Sequence, residues 1–244
     1  MNKDFYKTYF ELEKNNWWFR VRRNIIFSLL AKYNIGKDNK ILDYGCGSGF
    51  LVGQLQKRGY DASGVDVSAE AIQTGIGRGV ENLFIEGSGF NFPDESFDLI
   101  LAMDVVEHVE DDSAILKKLS RILKPKGKII ITVPAYMWMW GVQDEVAHHF
   151  RRYTTNSMSR LIGRIPGLSI VRKTYFNTFL FPPAAVVRLI SKWFNLKNRE
   201  SDFDIGGSFL NSVFYSIFNL EVWLLKYISF PFGVSILFVV NKNE

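Results

Sequence analysis

Three groups of residues combine side-chain types and spacings that chemistry can use. The first is Ile41-Leu-Asp-Tyr-Gly-Cys-Gly-Ser-Gly49, in which an acid is followed by glycine at 45, 47 and 49. The second is Asp66, 17 positions after Gly49. The third is His148-His-Phe-Arg-Arg-Tyr153, preceded by Gln143-Asp-Glu145. Glycine turns let a backbone approach a ligand closely, and a carboxylate beyond such a turn suits the two hydroxyls of a ribose. A histidine titrates near neutrality, so His148 and His149 are candidate general bases. Taken singly, each also fits a structural role. Arg151 and Arg152 suit an anionic substrate group, and Asp144 and Glu145 suit orienting a histidine or neutralising the arginines.

These groups need elements to position them. Ile41 and Leu42 read as a buried strand. Phe50, Leu51 and Leu55 follow helical spacing, with a stop at Gly59. Asp61-Ala-Ser-Gly-Val-Asp66 is a second strand that ends in its acid. Strand, glycine turn and helix open a nucleotide-binding βαβ unit. A dinucleotide site asks for GxGxxG, with a pyrophosphate on the helix N-terminus. Here the run is DYGCGSG, an acid followed by GxGxG. The acid would repel a diphosphate and tolerates a ligand that carries an ammonium group. An α/β loop with incidental glycines is the plainer alternative.

The run resembles the first motif, D/E-x-GxGxG, of the class I S-adenosylmethionine-dependent methyltransferases. The likeness extends over residues 38–175 and 234–241, including the Lys124-Pro-Lys-Gly127 turn and the strand after it. It implies that Asp43, Gly45, Gly47 and Gly49 surround the methionine end of S-adenosyl-L-methionine. Asp66, with Val67, would hold the ribose. Ser88 stands where the family usually carries an acid for the adenine. Met103, Asp104 and His108, after the strand Phe97–Met103, would lie at the methionine end. In this family N-terminal helices often cover the cofactor, so Trp17, Trp18 and Arg20 would close the site, with Arg20 or Arg23 reaching a carboxylate. Simple packing of the tryptophans on the sheet is the alternative. Tyr136, Trp138 and Tyr153, on the loop beyond the fifth strand, would meet the acceptor together with Trp17, Arg151 and Arg152. The H-x-RRY run is similar to the ubiquinone-biosynthesis O-methyltransferases and the type 11/12 families. This implies methyl transfer to oxygen, with S-adenosyl-L-homocysteine as product. The D/N-P-P-Y/F run of base-methylating enzymes is replaced here by Met-Asp-Val-Val, which disfavours a nucleic-acid substrate.

The expected fold is α/β: a Rossmann-like, doubly wound, seven-stranded and mostly parallel sheet. Its divisions are an N-terminal helical cap (1–36), the main domain (37–175 and 233–244) and a helical insertion before the last strand (176–232). From 175 to 232 there are 15 aromatics in 58 positions, against 37 in the 244 of the whole chain. Two helices are expected there, one starting at Pro182-Pro183 and one spanning Ser208 to Phe230, as a hairpin over the rim of the site. A lipid or membrane surface, an apolar small acceptor, a second copy of the chain and extra core all fit this segment. Ten Lys/Arg and no Asp/Glu lie between Arg151 and Arg199, which suits either an anionic partner or a solvated face. The single cysteine, Cys46, excludes an internal disulfide, and no Cys/His cluster has zinc spacing, so no metal is expected. Asp4, Glu11 and Glu13 interrupt any apolar leader. The expected location is cytoplasmic, with a peripheral place at the inner membrane face open. A noncatalytic cofactor-binding module, a peripheral membrane protein on the same fold and a nicotinamide-dependent enzyme are the rival readings.

Overall fold

A computed structural model describes residues 11–88, 91–194 and 207–244. The first ten residues of the expected N-terminal cap and residues 195–206 of the expected insertion lie outside them. Seven strands form one sheet: β1 (Lys40–Tyr44), β2 (Asp61–Asp66), β3 (Leu83–Ile85), β4 (Phe97–Met103), β5 (Leu123–Pro134), β6 (Leu168–Phe176) and β7 (Ser235–Lys242). Their spatial order is β3-β2-β1-β4-β5-β7-β6, and β7 runs antiparallel to both its neighbours. From β1 the chain winds outward through β2 and β3, then returns to β4 on the other side. The carboxyl ends of β1 and β4 therefore flank a topological switch point, where open α/β sheets bind ligands.

Alternation along the strands supplies two apolar faces, which is why the central strands read as unbroken apolar runs. Leu42, Ile100, Ile129, Ile131 and Phe238 point to one side, under α4 (Asp112–Ile122) and α6 (Thr155–Gly163). Ile41, Leu99, Leu101, Ile130 and Val239 point to the other. There they meet α1 (Trp17–Lys32), α2 (Phe50–Gln56) and α3 (Ala69–Ile76). Side chains cap these helices as their sequences dictate. Asn16 accepts from Trp18 N, Ser68 from Ala71 N, Asp111 from Ala114 N and Thr154 from Ser157 N.

The insertion departs from the expected hairpin. Its helices, α7 (Phe181–Trp193) and α8 (Gly207–Leu224), have different principal partners. The first leans on the Met137–Met139 turn, where Lys192 Nζ donates to Trp138 O at 2.6 Å. The second packs along α1. Phe218 stacks on Trp18 at 5.4 Å and 21°, and Trp18 stacks on Phe176 at 5.9 Å and 17°. This three-ring stack ties the N-terminal helix, the end of β6 and the insertion into one core. Helix α8 stops at Leu224 rather than Phe230, because Phe230 turns back to bridge Tyr175 and donates its N–H to Thr174 Oγ1 at 2.8 Å. Among the described residues, no helix is long and apolar enough to cross a membrane.

Two turns are irregular. Helix α1 ends at Lys32, and Asn34 (φ 54°) makes the left-handed reversal, a conformation asparagine tolerates. The Lys124–Gly127 turn lies inside β5 as an irregularity. Phe97 pairs with Leu123 and Leu99 with Lys128, while Lys126 takes φ 64°.

Phe218 is fully buried at the centre of the ring stack. Phe218→Ala should lower unfolding free energy by about 3–5 kcal/mol in denaturant titration. A loss under about 1 kcal/mol would mean that α8 is an appendage rather than part of the core.

Candidate functional site

The glycine turn opens at the end of β1. Gly45 takes φ +76°, and a Cβ there would lie 2.5 Å from Val105 Cγ2, so only glycine fits. A Cβ on Gly47 would meet nothing within 4 Å, so the turn presents bare backbone to open space. The Gly47 N–H donates to Asp66 Oδ2 at 2.8 Å, and Ser68 N donates to Oδ1 at 2.8 Å. Asp66 thus stands at the tip of β2 with acceptor capacity left on both oxygens. Val67 beside it is 77% exposed, an apolar surface next to that carboxylate. Ser88 is exposed and donates its hydroxyl to Ile85 O at 2.8 Å, which leaves only its acceptor function free.

Carboxylates gather at this end of the sheet. Asp43 is buried, and burial pushes its pKa up to about 7, with Arg22 opposing and Asp66 adding to the rise. Glu13, in the helical turn at residues 11–15, accepts from Ser48 Oγ at 3.1 Å. Burial raises it to about 8, against the pull of Ser48, Arg22 and Arg23. Asp104 follows β4 in a left-handed conformation, φ 56°. Such a conformation is uncommon outside glycine and is held here by several contacts. Asp104 N donates to Thr132 O at 3.0 Å, Thr132 Oγ1 donates to Oδ1 at 2.9 Å, and Arg22 Nη1 sits 3.0 Å from Oδ2. Met103 is half-buried beside Thr132.

The cation in this group is Arg22, which sequence reasoning missed. Arg20 instead lies over the Tyr215 ring at 4.0 Å, and Arg23 over Phe50 at 4.8 Å with donation to Glu13 O. A signal was available: Arg22 falls inside the apolar stripe of Trp18, Val21, Ile25, Ile26 and Leu29. Trp17 is placed against α8 rather than over the turn. Its rings meet Phe214 and Phe218, and its backbone N–H donates to Asn211 Oδ1 at 2.8 Å.

The second half of the site lies on the loop after β5. Asp144, in α5 (Val142–Val146), is fully buried and accepts four hydrogen bonds. They come from Arg152 Nε at 2.7 Å and Nη2 at 2.9 Å, Gly141 N at 2.8 Å and His149 Nδ1 at 2.9 Å. Burial alone would raise its pKa, but the bonds from His149 and Arg152 hold it at about 2. With Nδ1–H committed to Asp144, His149 presents Nε2 as its free acceptor. His148 is separated from it, exposed at φ 56°. The two arginines are also committed. Arg152 clamps Asp144 and donates to Ala135 O, while Arg151 pairs with Asp112 at 2.9 Å and donates to Glu110 O. Tyr153 is buried and donates to Asp112 Oδ2 at 3.0 Å. These three residues build the wall rather than offering free groups to an acceptor.

His108 and His149 meet edge to face at 4.5 Å. Glu107 beside them is fully buried, with neither carboxylate oxygen hydrogen-bonded, and burial raises its pKa. One ligand atom from each of these three residues lies within 4.8 Å of the others, so together they could hold a metal ion. Spacing in the sequence does not reveal this group, because His149 is 41 positions from His108. Aromatic rings complete the rim. Tyr136 stacks on Tyr175 at 5.3 Å and on Trp138 at 5.9 Å, and Phe181 of α7 closes on both.

Residues 42–131 match a family model described as a methyltransferase domain. A ubiquinone biosynthesis O-methyltransferase of Rickettsia bellii (strain OSU 85-389) is 28% identical over 141 residues, covering 50% of this chain and 59% of that protein. The chain therefore spans about three fifths of that relative's length. Among solved structures, the complex of a methyltransferase with the Haloferax volcanii Trm112 methyltransferase activator aligns with a TM-score of 0.61 at 18% identity, over 96% of this chain and 93% of that one. Haemonchus contortus phosphoethanolamine N-methyltransferase 2, in complex with S-adenosyl-L-methionine, aligns at 0.56 and 16%, over 90% and 52%. These two likenesses concern the fold. Residues 42–131 are thus similar to a methyltransferase domain, and the chain shares the fold of the aligned methyltransferase structures.

Proposed function

We propose that this chain transfers the methyl group of S-adenosyl-L-methionine to an oxygen of a small or lipid-like acceptor. The observation that carries the reading is the placement of two half-sites at one end of the sheet. One is a bare glycine turn between the carboxylates Asp43 and Asp66; the other is a histidine fixed by a buried aspartate. The unpaired, elevated Asp43 carboxyl suits the ligand's ammonium group, and Asp66 suits its ribose. When bound, the cofactor supplies an electrophilic methyl on a sulfonium. His149 accepts the acceptor's proton at Nε2 while Asp144 stabilises the resulting imidazolium. The Tyr136, Trp138 and Phe181 rings exclude water and receive a flat or apolar acceptor. The relative named for ubiquinone biosynthesis supports oxygen as the attacked atom. Helix α7 has no buried residue and exposes Val186, Leu189, Ile190 and Trp193, which supports an acceptor met at a lipid surface.

A specific observation favours a second form of the same reaction. The unpartnered Glu107 oxygens beside His108 and His149 suit a divalent cation, which would polarise the acceptor hydroxyl. Dialysis against a chelator distinguishes the two. Loss of turnover that Mn²⁺ restores in wild type but not in Glu107→Gln supports the cation, and unchanged turnover leaves His149 acting alone.

With labelled cofactor and catechol acceptors, His149→Ala should lower kcat by about 10²–10⁴-fold. His148→Ala should stay within about threefold. Equal losses in the two variants would remove the assignment.

Asp43 must be anionic to hold an ammonium group. Affinity for S-adenosyl-L-homocysteine should therefore rise from about pH 6 to about pH 8, with proton release on binding. Asp43 also sets a stability slope in the free protein. Its folded pKa of about 7 exceeds the unfolded value, so its contribution is full below about pH 4 and is lost as pH rises through 7. Calorimetry in buffers of different ionisation enthalpy reads the proton release. An affinity that does not change with pH would exclude Asp43 from the contact.

A further inference from the structure

A second concave surface lies on the far side of Arg152 from His149. It is a cavity of about 290 Å³ beside α6, lined by Arg151, Arg152, Arg160 and Arg164, with Asp112 as its acid. Two of the four guanidinium groups are neutralised, Arg151 by Asp112 and Arg152 by Asp144. Arg160 and Arg164 are not. Among the described residues neither has an ion pair or a hydrogen bond, and no Asp or Glu occurs anywhere from Arg151 to Arg199. Arg160 lies on α6 and Arg164, four positions on, is its C-cap residue in helical conformation, so their side chains share a face and their charges repel. A like-charged pair on a concave wall is costly alone and favourable around an anion. Guanidinium groups bind phosphate oxygens in paired hydrogen bonds, and they shed water more readily than lysine does. The volume is at the small end for ligand sites, which suits a phosphate ester or diphosphate rather than a large molecule.

We propose that this cavity is a binding site for a phosphate-bearing anion, held chiefly by Arg160 and Arg164. The site is distinct from the methyl-transfer crevice and does not rest on the function proposed above. The phosphate belongs either to a soluble ester or to a lipid headgroup.

Pyrophosphate titrated calorimetrically into the full chain, at constant ionic strength, should saturate one site. Arg160→Gln/Arg164→Gln should weaken that binding by about tenfold or more. Lys57→Gln/Lys117→Gln, which removes the same net charge elsewhere, should not. Without anion, the arginine variant should melt at the wild-type temperature or slightly above, because relieved repulsion offsets nothing lost; pyrophosphate should raise the Tm of wild type only. A parallel arm measures sedimentation with phosphatidylglycerol and phosphatidylcholine vesicles. Capture by phosphatidylglycerol alone, lost in the arginine variant and competed by pyrophosphate, identifies a lipid headgroup. Pyrophosphate binding without vesicle capture identifies a soluble ester. Absence of both, or equal losses in the two double variants, overturns the proposal.

Discussion

Arg22 is the cation on which the acid-rich end of this site depends. It sits 3.0 Å from Asp104 and opposes the rise in pKa of Glu13, Asp43 and Glu107. A parallel sheet collects strand ends at one edge, and here those ends carry acids. Burial still raises the pKa of Glu13, Asp43 and Glu107, and the embedded positive charge limits that rise. Arg22 can be embedded because α1 is fixed over the sheet by the Trp18–Phe218–Phe176 stack. Packing of the insertion thus reaches the chemistry through one helix. A segment that looks like an addition to the fold supports the residue that tempers the rise in its acids' pKa values.

Asp144 plays the matching part on the loop after β5. Four hydrogen bonds converge on one buried carboxylate, and together they set the turn at Gly141, the conformation of the H-x-RRY segment and the tautomer of His149. A bidentate arginine and a carboxylate form a rigid pair, so the loop after β5 behaves as a fixed wall rather than a mobile strap. The same pair explains why Arg152 has no charge to spare for an anion. Spare positive charge on this side lies one helix away, on Arg160 and Arg164.

The sheet was legible because its signals are local. Ile41 and Leu42, Phe97 to Met103 and Ile129 to Val133 are apolar runs of strand length, and the caps at Ser68 and Thr154 mark their helices directly. Asp43, Asp66 and Asp104 were legible for the same reason, as acids at strand ends. Pairings made at long range were not. Arg22 meets Asp104 across 82 positions and His149 meets His108 across 41, and no spacing rule connects them. Adjacent histidines in a sequence suggest a pair, yet His149 meets Asp144 and His108 while His148 is exposed. The insertion was read as two helices correctly in kind. Its arrangement depended on rings from three distant segments meeting, which composition alone does not specify.

The central claim is that the crevice between β1 and β4 takes S-adenosyl-L-methionine. It is tested most directly by calorimetric binding of S-adenosyl-L-homocysteine to wild type and to Asp66→Ala, with NAD as control. Saturable one-to-one binding that collapses in the variant, with no NAD binding, is the predicted result. No binding to wild type, or a preference for NAD, would contradict the claim.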